Sequence, residues 1–215
     1  MTSAPAASPR HGLRRFLTER PAPAERCGLC AAPVPDPDHR HFVDTGRRAL
    51  VCACRSCFLL MERPGAGGDR FLPVPARWLT DPAHRLDDHV WDTLRIPVGV
   101  AFFFRNTALD RLVALYPSPA GATESELEPE AWTAALGTSA LAGLLAPDVE
   151  ALLLRRTGDG YRCYLVPIDA CYELVGRMRM LWQGFDGGAE ARAALDAFFA
   201  RTEERATPLT ATEGT

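Results

Sequence analysis

The spacing of the cysteines constrains this chain more than any other feature. Cys27-Gly-Leu-Cys30 and Cys54-Arg-Ser-Cys57 form two Cys-x-x-Cys pairs with 23 residues between them, and His39, His41 and Cys52 lie in that interval. Two such pairs suit four thiolates around one tetrahedral ion. A borderline-soft d10 ion accepts four sulfurs without geometric strain, so zinc is the first expectation, with a single iron as the alternative. A segment this short cannot bury a sufficient core of its own, so metal binding would supply much of its folding energy.

The residues between the pairs suggest how they are joined. Phe42–Asp44 and Ala49–Cys52 read as short strands, with Thr45-Gly-Arg-Arg48 as the turn, and Phe58-Leu-Leu-Met61 as the continuation of a short helix. A knuckle, a hairpin and a second pair at a helix start make a treble-clef or zinc-ribbon-like module. The last two ligands, three apart on one turn, then face the same ion. Knuckles favour a left-handed residue after the second cysteine, yet Ala31 and Phe58 stand there, which carries a strain of about 1–2 kcal/mol each. Cys52 is surplus to four ligands. It reads as a buried thiol on the hairpin, an alternative ligand, or a redox-active or cluster-transfer thiol. His39 and His41 alternate along an extended run and so point the same way. They read as surface groups, as partners of the ligands, as replacement ligands or as proton carriers.

Seven cysteines, an odd number, fit thiolate ligands in a reducing cytosol better than a disulfide framework. Arg14-Arg15-Phe16-Leu17 has no apolar stretch after it to make an export signal, and Ile96–Phe104 is too short to span a bilayer. The expectation is a cytoplasmic protein without membrane insertion. The net charge of −3 disfavours non-specific nucleic-acid binding. Residues 1–62 nevertheless carry nine Arg against six acids, which keeps a nucleic-acid-binding zinc ribbon as an alternative.

Residues 1–25 read as a flexible arm with one short helix at Gly12–Glu19, 26–62 as the Cys-rich metal module and 63–95 as a linker with bridging elements. The bridge holds an extended Arg70–Val74 and a helix over Leu86–Leu94. An α+β domain fills 96–202, and 203–215 read as a disordered tail. The domain contains an internal duplication: Val100-Ala-Phe-Phe-Phe-Arg105 matches Glu150-Ala-Leu-Leu-Leu-Arg155, and Tyr116-Pro117 matches Val166-Pro167. Each half reads strand, strand, helix. The first has strands near 98–105 and 110–116 and a helix near 126–137. The second has strands near 149–156 and 161–166 and a helix near 169–182. The expected architecture is a four-stranded antiparallel sheet with helices on one face, although the unbroken Phe102–Phe104 run suits a strand covered on both faces. Ser125-x-x-Glu128 reads as a capping box and Asp169 as the cap of its helix. The last helix, near 189–201, turns Ala193, Leu195, Phe198 and Phe199 inward.

Tyr116–Ser125 reads as a strand-to-helix connection rich in small hydroxylic residues, a place where an anion could sit, but it lacks the P-loop pattern. Cys163 and Cys171 read as inert buried thiols. No Gly-x-Ser-x-Gly, His-Glu-x-x-His or paired-carboxylate motif is present, so the chain reads as non-catalytic.

Three segments together resemble one family of uncharacterised bacterial proteins encoded near high-affinity nickel–iron hydrogenases. They are the Cys-x-x-Cys, His-Arg-His, Cys-x-Cys-x-x-Cys block, Tyr116–Ser125, and Tyr-Leu-Val-Pro-Ile-Asp-Ala-Cys-Tyr-Glu-Leu-Val-Gly at 164–176. The resemblance implies a hydrogenase context, in assembly or in electron transfer, and carries no catalytic residues. The expected function is that of a metal-binding accessory protein contacting a hydrogenase subunit or an assembly factor. The alternative in the same setting is a rubredoxin-like iron carrier.

Overall fold

Phe102, Phe103 and Phe104 sit at the middle of a sheet that is covered on both sides. Phe102 and Phe104 pack into one core with Leu153, Tyr164 and Val166, whereas Phe103 packs into a second core with Leu152, Leu154 and Leu165. Side chains alternate across a strand, so an unbroken apolar run must find two dry faces. The computed structural model describes residues 25–34, 39–63, 65–126, 128–184 and 187–209; the expected arm and its Gly12–Glu19 helix lie outside them.

The sheet has seven strands, not the four expected. Strands β1 (Arg40–Asp44), β2 (Ala49–Ala53) and β3 (Phe71–Pro73) form a separate three-stranded sheet in the order β2-β1-β3. The large sheet comprises β4 (Leu79–Thr80), β5 (Val100–Asn106), β6 (Arg111–Ser118), β7 (Gly121–Ser125), β8 (Glu150–Thr157), β9 (Gly160–Pro167) and β10 (Thr207–Pro208). Its order is β10-β4-β9-β8-β5-β6-β7. All pairings are antiparallel except the two-residue β10–β4 ladder. The four expected strands are the central four. Three additions were not legible. β4 and β10 are too short to show a period. β7 lies in the Tyr116–Ser125 segment, which is a hairpin with Tyr116 opposite Thr123 and Ser118 opposite Gly121 rather than a connection to a helix. Residues 203–209, expected in a disordered tail, complete a helix and supply β10.

The helices lie on both faces, which corrects the one-faced expectation. Helix α1 (Arg55–Met61) belongs to the small sheet. Helices α2 (Asp88–Thr93) and α3 (Pro129–Leu136) cover the Phe103 face through Trp91, Ala131, Ala135 and Leu136. Helices α4 (Ile168–Leu181) and α5 (Gly188–Arg205) cover the Phe102 face through Leu174, Val175, Met178, Phe198 and Phe199. Ala193, expected inward, is exposed, while Ala191 and Thr202 are buried. The two segments that suggested a duplication are the adjacent central strands β5 and β8, with Phe102 opposite Leu153. An offset of 50 residues equates Phe102 with Leu152, and these lie on opposite faces. The repeat therefore holds for the paired strands and their composition but not for face, and β7 has no counterpart in the second half.

Two expected caps have other partners. Ser125 is buried in β7 and its hydroxyl donates to the Leu94 carbonyl at 3.1 Å, while Glu128 precedes α3 without a side-chain cap. Asp169 lies inside the first turn of α4 and accepts from His41 at 2.7 Å. Glu150 replaces the Val100 of the first segment and is fully buried. Arg77 holds it with two contacts, at 2.5 and 2.6 Å, and the Ala146 N–H adds a third. A buried carboxylate needs such a partner, because its hydration is lost.

Candidate metal centre

The residues from Arg26 to Pro33 close into a tight knuckle. Arg26 and Pro33 form an isolated antiparallel bridge, the Ala31 N–H donates to the Cys27 carbonyl, and the Gly28 N–H donates to the Cys52 carbonyl at 2.8 Å. Gly28 is required there, since a Cβ would lie 2.6 Å from Cγ1 of Val51. Ala31 adopts the left-handed backbone the knuckle demands, with φ of 61°. Phe58 needs no such conformation, because the second pair lies on a helix instead of a second knuckle. Cys54 is the extended residue preceding α1, and Cys57 lies one turn into it.

The hairpin carries this geometry. β1 and β2 pair with Phe42 opposite Val51 and His41 opposite Cys52. One face buries Phe42 against Phe58 of α1, ring centres 5.1 Å apart. The other packs Val43 and Leu50 against the α4–α5 core. β3 joins the other edge of β1, and Asp44 at the end of β1 accepts from Arg70 at 2.7 and 3.1 Å. The Arg70 guanidinium, with lesser help from the Arg47 N–H, holds the Asp44 carboxyl down at about 2 against the opposing effect of its burial. The expected bridge segment Arg70–Val74 is thus part of the metal module's own sheet.

The four sulfurs of Cys27, Cys30, Cys54 and Cys57 all lie within 4.8 Å of one another, and those of Cys30 and Cys54 are 3.7 Å apart. A tetrahedron of sulfurs about 2.3 Å from a central ion has edges of about 3.8 Å. The donor set therefore fits one tetrahedral metal ion. Cys27 is buried, Cys54 and Cys57 are half-buried, and Cys30 is exposed. Burial opposes the Cys27 thiolate. The N–H groups of Cys54, Cys30 and Leu29 and the Cys30 thiol outweigh it and bring Cys27 down to about 6. Burial, the three neighbouring thiols and the Cys27 charge push Cys57 up to about 12. Four sulfurs this close do not all ionise by themselves; a divalent cation inverts that balance.

Among the described residues, His39, His41 and Cys52 make a second constellation, with one ligand atom from each within 4.8 Å of the others. The structure thus groups Cys52 and the two histidines with each other. Its signal was available in the sequence. A turn at Thr45–Arg48 sets Cys52 opposite His41, and alternation then puts His39 on the same face. The partners were not legible. Asp169 holds Nδ1 of His41 at 2.7 Å, Glu25 holds Nδ1 of His39 at 3.1 Å, and the Cys52 thiol donates to Glu25 at 3.5 Å. Burial, then the charge and hydrogen bond of Glu25, push Cys52 up to about 11. Cys163 and Cys171 are buried free thiols, as expected, and burial raises both.

A family model matches residues 26–206, and the chain belongs to that family, the family of unknown function DUF5947. No curated protein and no solved structure matches it. No described helix is long and apolar enough to cross a membrane.

Proposed function

For this member of a family of unknown function, we propose a non-catalytic, metal-binding accessory role in the assembly or working of a nickel–iron hydrogenase, exercised through protein–protein contacts. Cys27, Cys30, Cys54 and Cys57 hold one zinc ion that fixes the knuckle to the start of α1. The carrying observation is the 3.7 Å approach of Cys30 and Cys54, which matches the edge of a zinc–sulfur tetrahedron. Bound there, zinc supplies charge neutralisation and cross-linking, and no redox chemistry. The hydrogenase context rests on the likeness of the cysteine block, Tyr116–Ser125 and residues 164–176 to proteins encoded beside such enzymes. A surface for a partner is at hand: α1 buries none of its residues, and Leu59 and Leu60 point outward beside the cysteines. Clusters of exposed apolar side chains next to a rigid centre suit docking.

One observation favours iron in the same thiolates. Cys30 is exposed, and a sulfur at the surface is the way electrons would enter and leave a redox centre. An iron-loaded protein would be coloured and would bleach with dithionite.

The test of the accessory role is genetic and biochemical. Removing the chain from a host that carries such a hydrogenase should abolish hydrogen uptake, and restoring the wild-type chain should recover it. The Leu60→Asp chain should keep its metal yet fail to bind the purified hydrogenase or to restore uptake. Undiminished uptake without the chain would refute the role.

A further inference from the structure

The His39–His41–Cys52 constellation has the features of a metal site in its own right. The hairpin presents all three side chains on one face, and each histidine has one ring nitrogen already engaged by a carboxylate. His41 gives Nδ1 to Asp169 at 2.7 Å and His39 gives Nδ1 to Glu25 at 3.1 Å. In a neutral imidazole this arrangement leaves Nε2 with its lone pair free, and it is the usual way a ligating histidine is oriented and made more basic. Nε2 of His39 is buried without any hydrogen-bond partner. An orphaned buried nitrogen is costly, and a bound ion removes the cost. The rings of His39 and His41 are 4.3 Å apart and tilted by 52°, and one ring nitrogen of each lies within 4.8 Å of the other and of the Cys52 sulfur.

We propose that His39, His41 and Cys52 bind a second divalent ion of the zinc class, with a fourth coordination position left to an outside ligand. Two imidazoles and one thiolate suit zinc, and three protein ligands with one open position are the arrangement of reactive zinc sites, in contrast to closed structural ones. Ligand edges around such an ion are about 3.3–3.8 Å, so a small closure of side chains already within 4.8 Å completes the set. Binding replaces the Cys52 thiol proton by the metal and releases that proton to solvent. His39 and His41 line a cleft of about 890 Å³ whose walls also include Trp78, Glu173 and Arg205, which gives an outside ligand room beside them. The site also spans the junction between module and domain, since Asp169 comes from α4 and the three ligands from the hairpin and the residue before it. It is independent of the hydrogenase reading, and its test counts zinc beyond the one ion proposed for the four-cysteine centre.

The test is metal stoichiometry on the full chain. The protein is loaded with zinc under nitrogen, desalted and analysed by mass spectrometry, with circular dichroism as the control for folding. The wild type should retain two zinc ions per chain. His39→Gln, His41→Asn and Cys52→Ala should each retain one, and the cobalt-loaded variants should keep the thiolate charge-transfer bands of the four-cysteine centre. One zinc per wild-type chain, two in any of the three folded variants, or loss of both ions in all three would each overturn the proposal.

Discussion

The two sheets of this protein are stabilised by different means. In the seven-stranded sheet, β5 and β8 are buried on both faces, and two cores enclose them. Burial on that scale stabilises a domain at roughly 25 cal/mol per Å² of apolar surface and needs no further cross-link. Among the described residues, the small sheet and its knuckle bury few apolar side chains: Cys27, Val34, Phe42, Ala53 and Val74. It is held further by α1 and the four sulfurs on one side, by the Asp44–Arg70 pair at its edge, and by the α4–α5 core on the other. It follows that the domain should fold without metal and that the module should not. The module's place on the domain depends on Val43, Leu50 and the His41–Asp169 contact.

The largest effect expected to separate the two is loss of a cysteine ligand. Metal binding to structural sites of this kind carries roughly 10–16 kcal/mol at neutral pH. Cys27→Ala or Cys57→Ala should therefore release the ion and unfold residues 26–62 while the large sheet stays folded. Amide exchange checks this: β1 and β2 should lose protection and β5 and β8 should keep it. Cooperative loss of both sheets would break the comparison. The converse change is Arg77→Ala. It leaves Glu150 buried without its cation and should destabilise the domain by about 3 kcal/mol in a urea titration, with metal content unchanged.

Smaller changes sharpen the comparison within the module. Gly28→Ala places a Cβ 2.6 Å from Val51 and should cost about 1–3 kcal/mol by overpacking. It would be read as a weakened hold on zinc in a chelator competition. Ala31→Gly acts the other way. With φ of 61° at Ala31, glycine removes the left-handed strain and should strengthen metal retention by about 1 kcal/mol in the same assay. An unchanged Ala31→Gly protein would mean that the knuckle's conformation does not limit binding.

How much of this was legible in the sequence follows the same division. The cluster of four cysteines, the hairpin and its turn could be read because cysteine spacing and Thr45–Arg48 are local signals. The four strands β5, β6, β8 and β9 could be read because short apolar runs between turn signals report themselves. What escaped was non-local. β3 pairs with β1 across the 26 residues between Asp44 and Phe71. β10 pairs with β4 across most of the domain. Asp169 looked like a helix cap because carboxylates at helix starts usually are, and only the docking of the hairpin on α4 brought His41 to it. The face reversal behind the apparent duplication was hidden because a strand buried on both sides has no alternation to mark its faces.

The most direct measurement on the central claim is X-ray absorption at the zinc edge of the His41→Asn protein, purified without oxygen, with its metal content determined in parallel. That variant confines metal to the four cysteines. The expected result is one zinc per chain coordinated by sulfur alone at about 2.3 Å, in a colourless sample. Iron with thiolate charge-transfer bands, coordination dominated by nitrogen or oxygen, or a protein that folds fully without metal would contradict it.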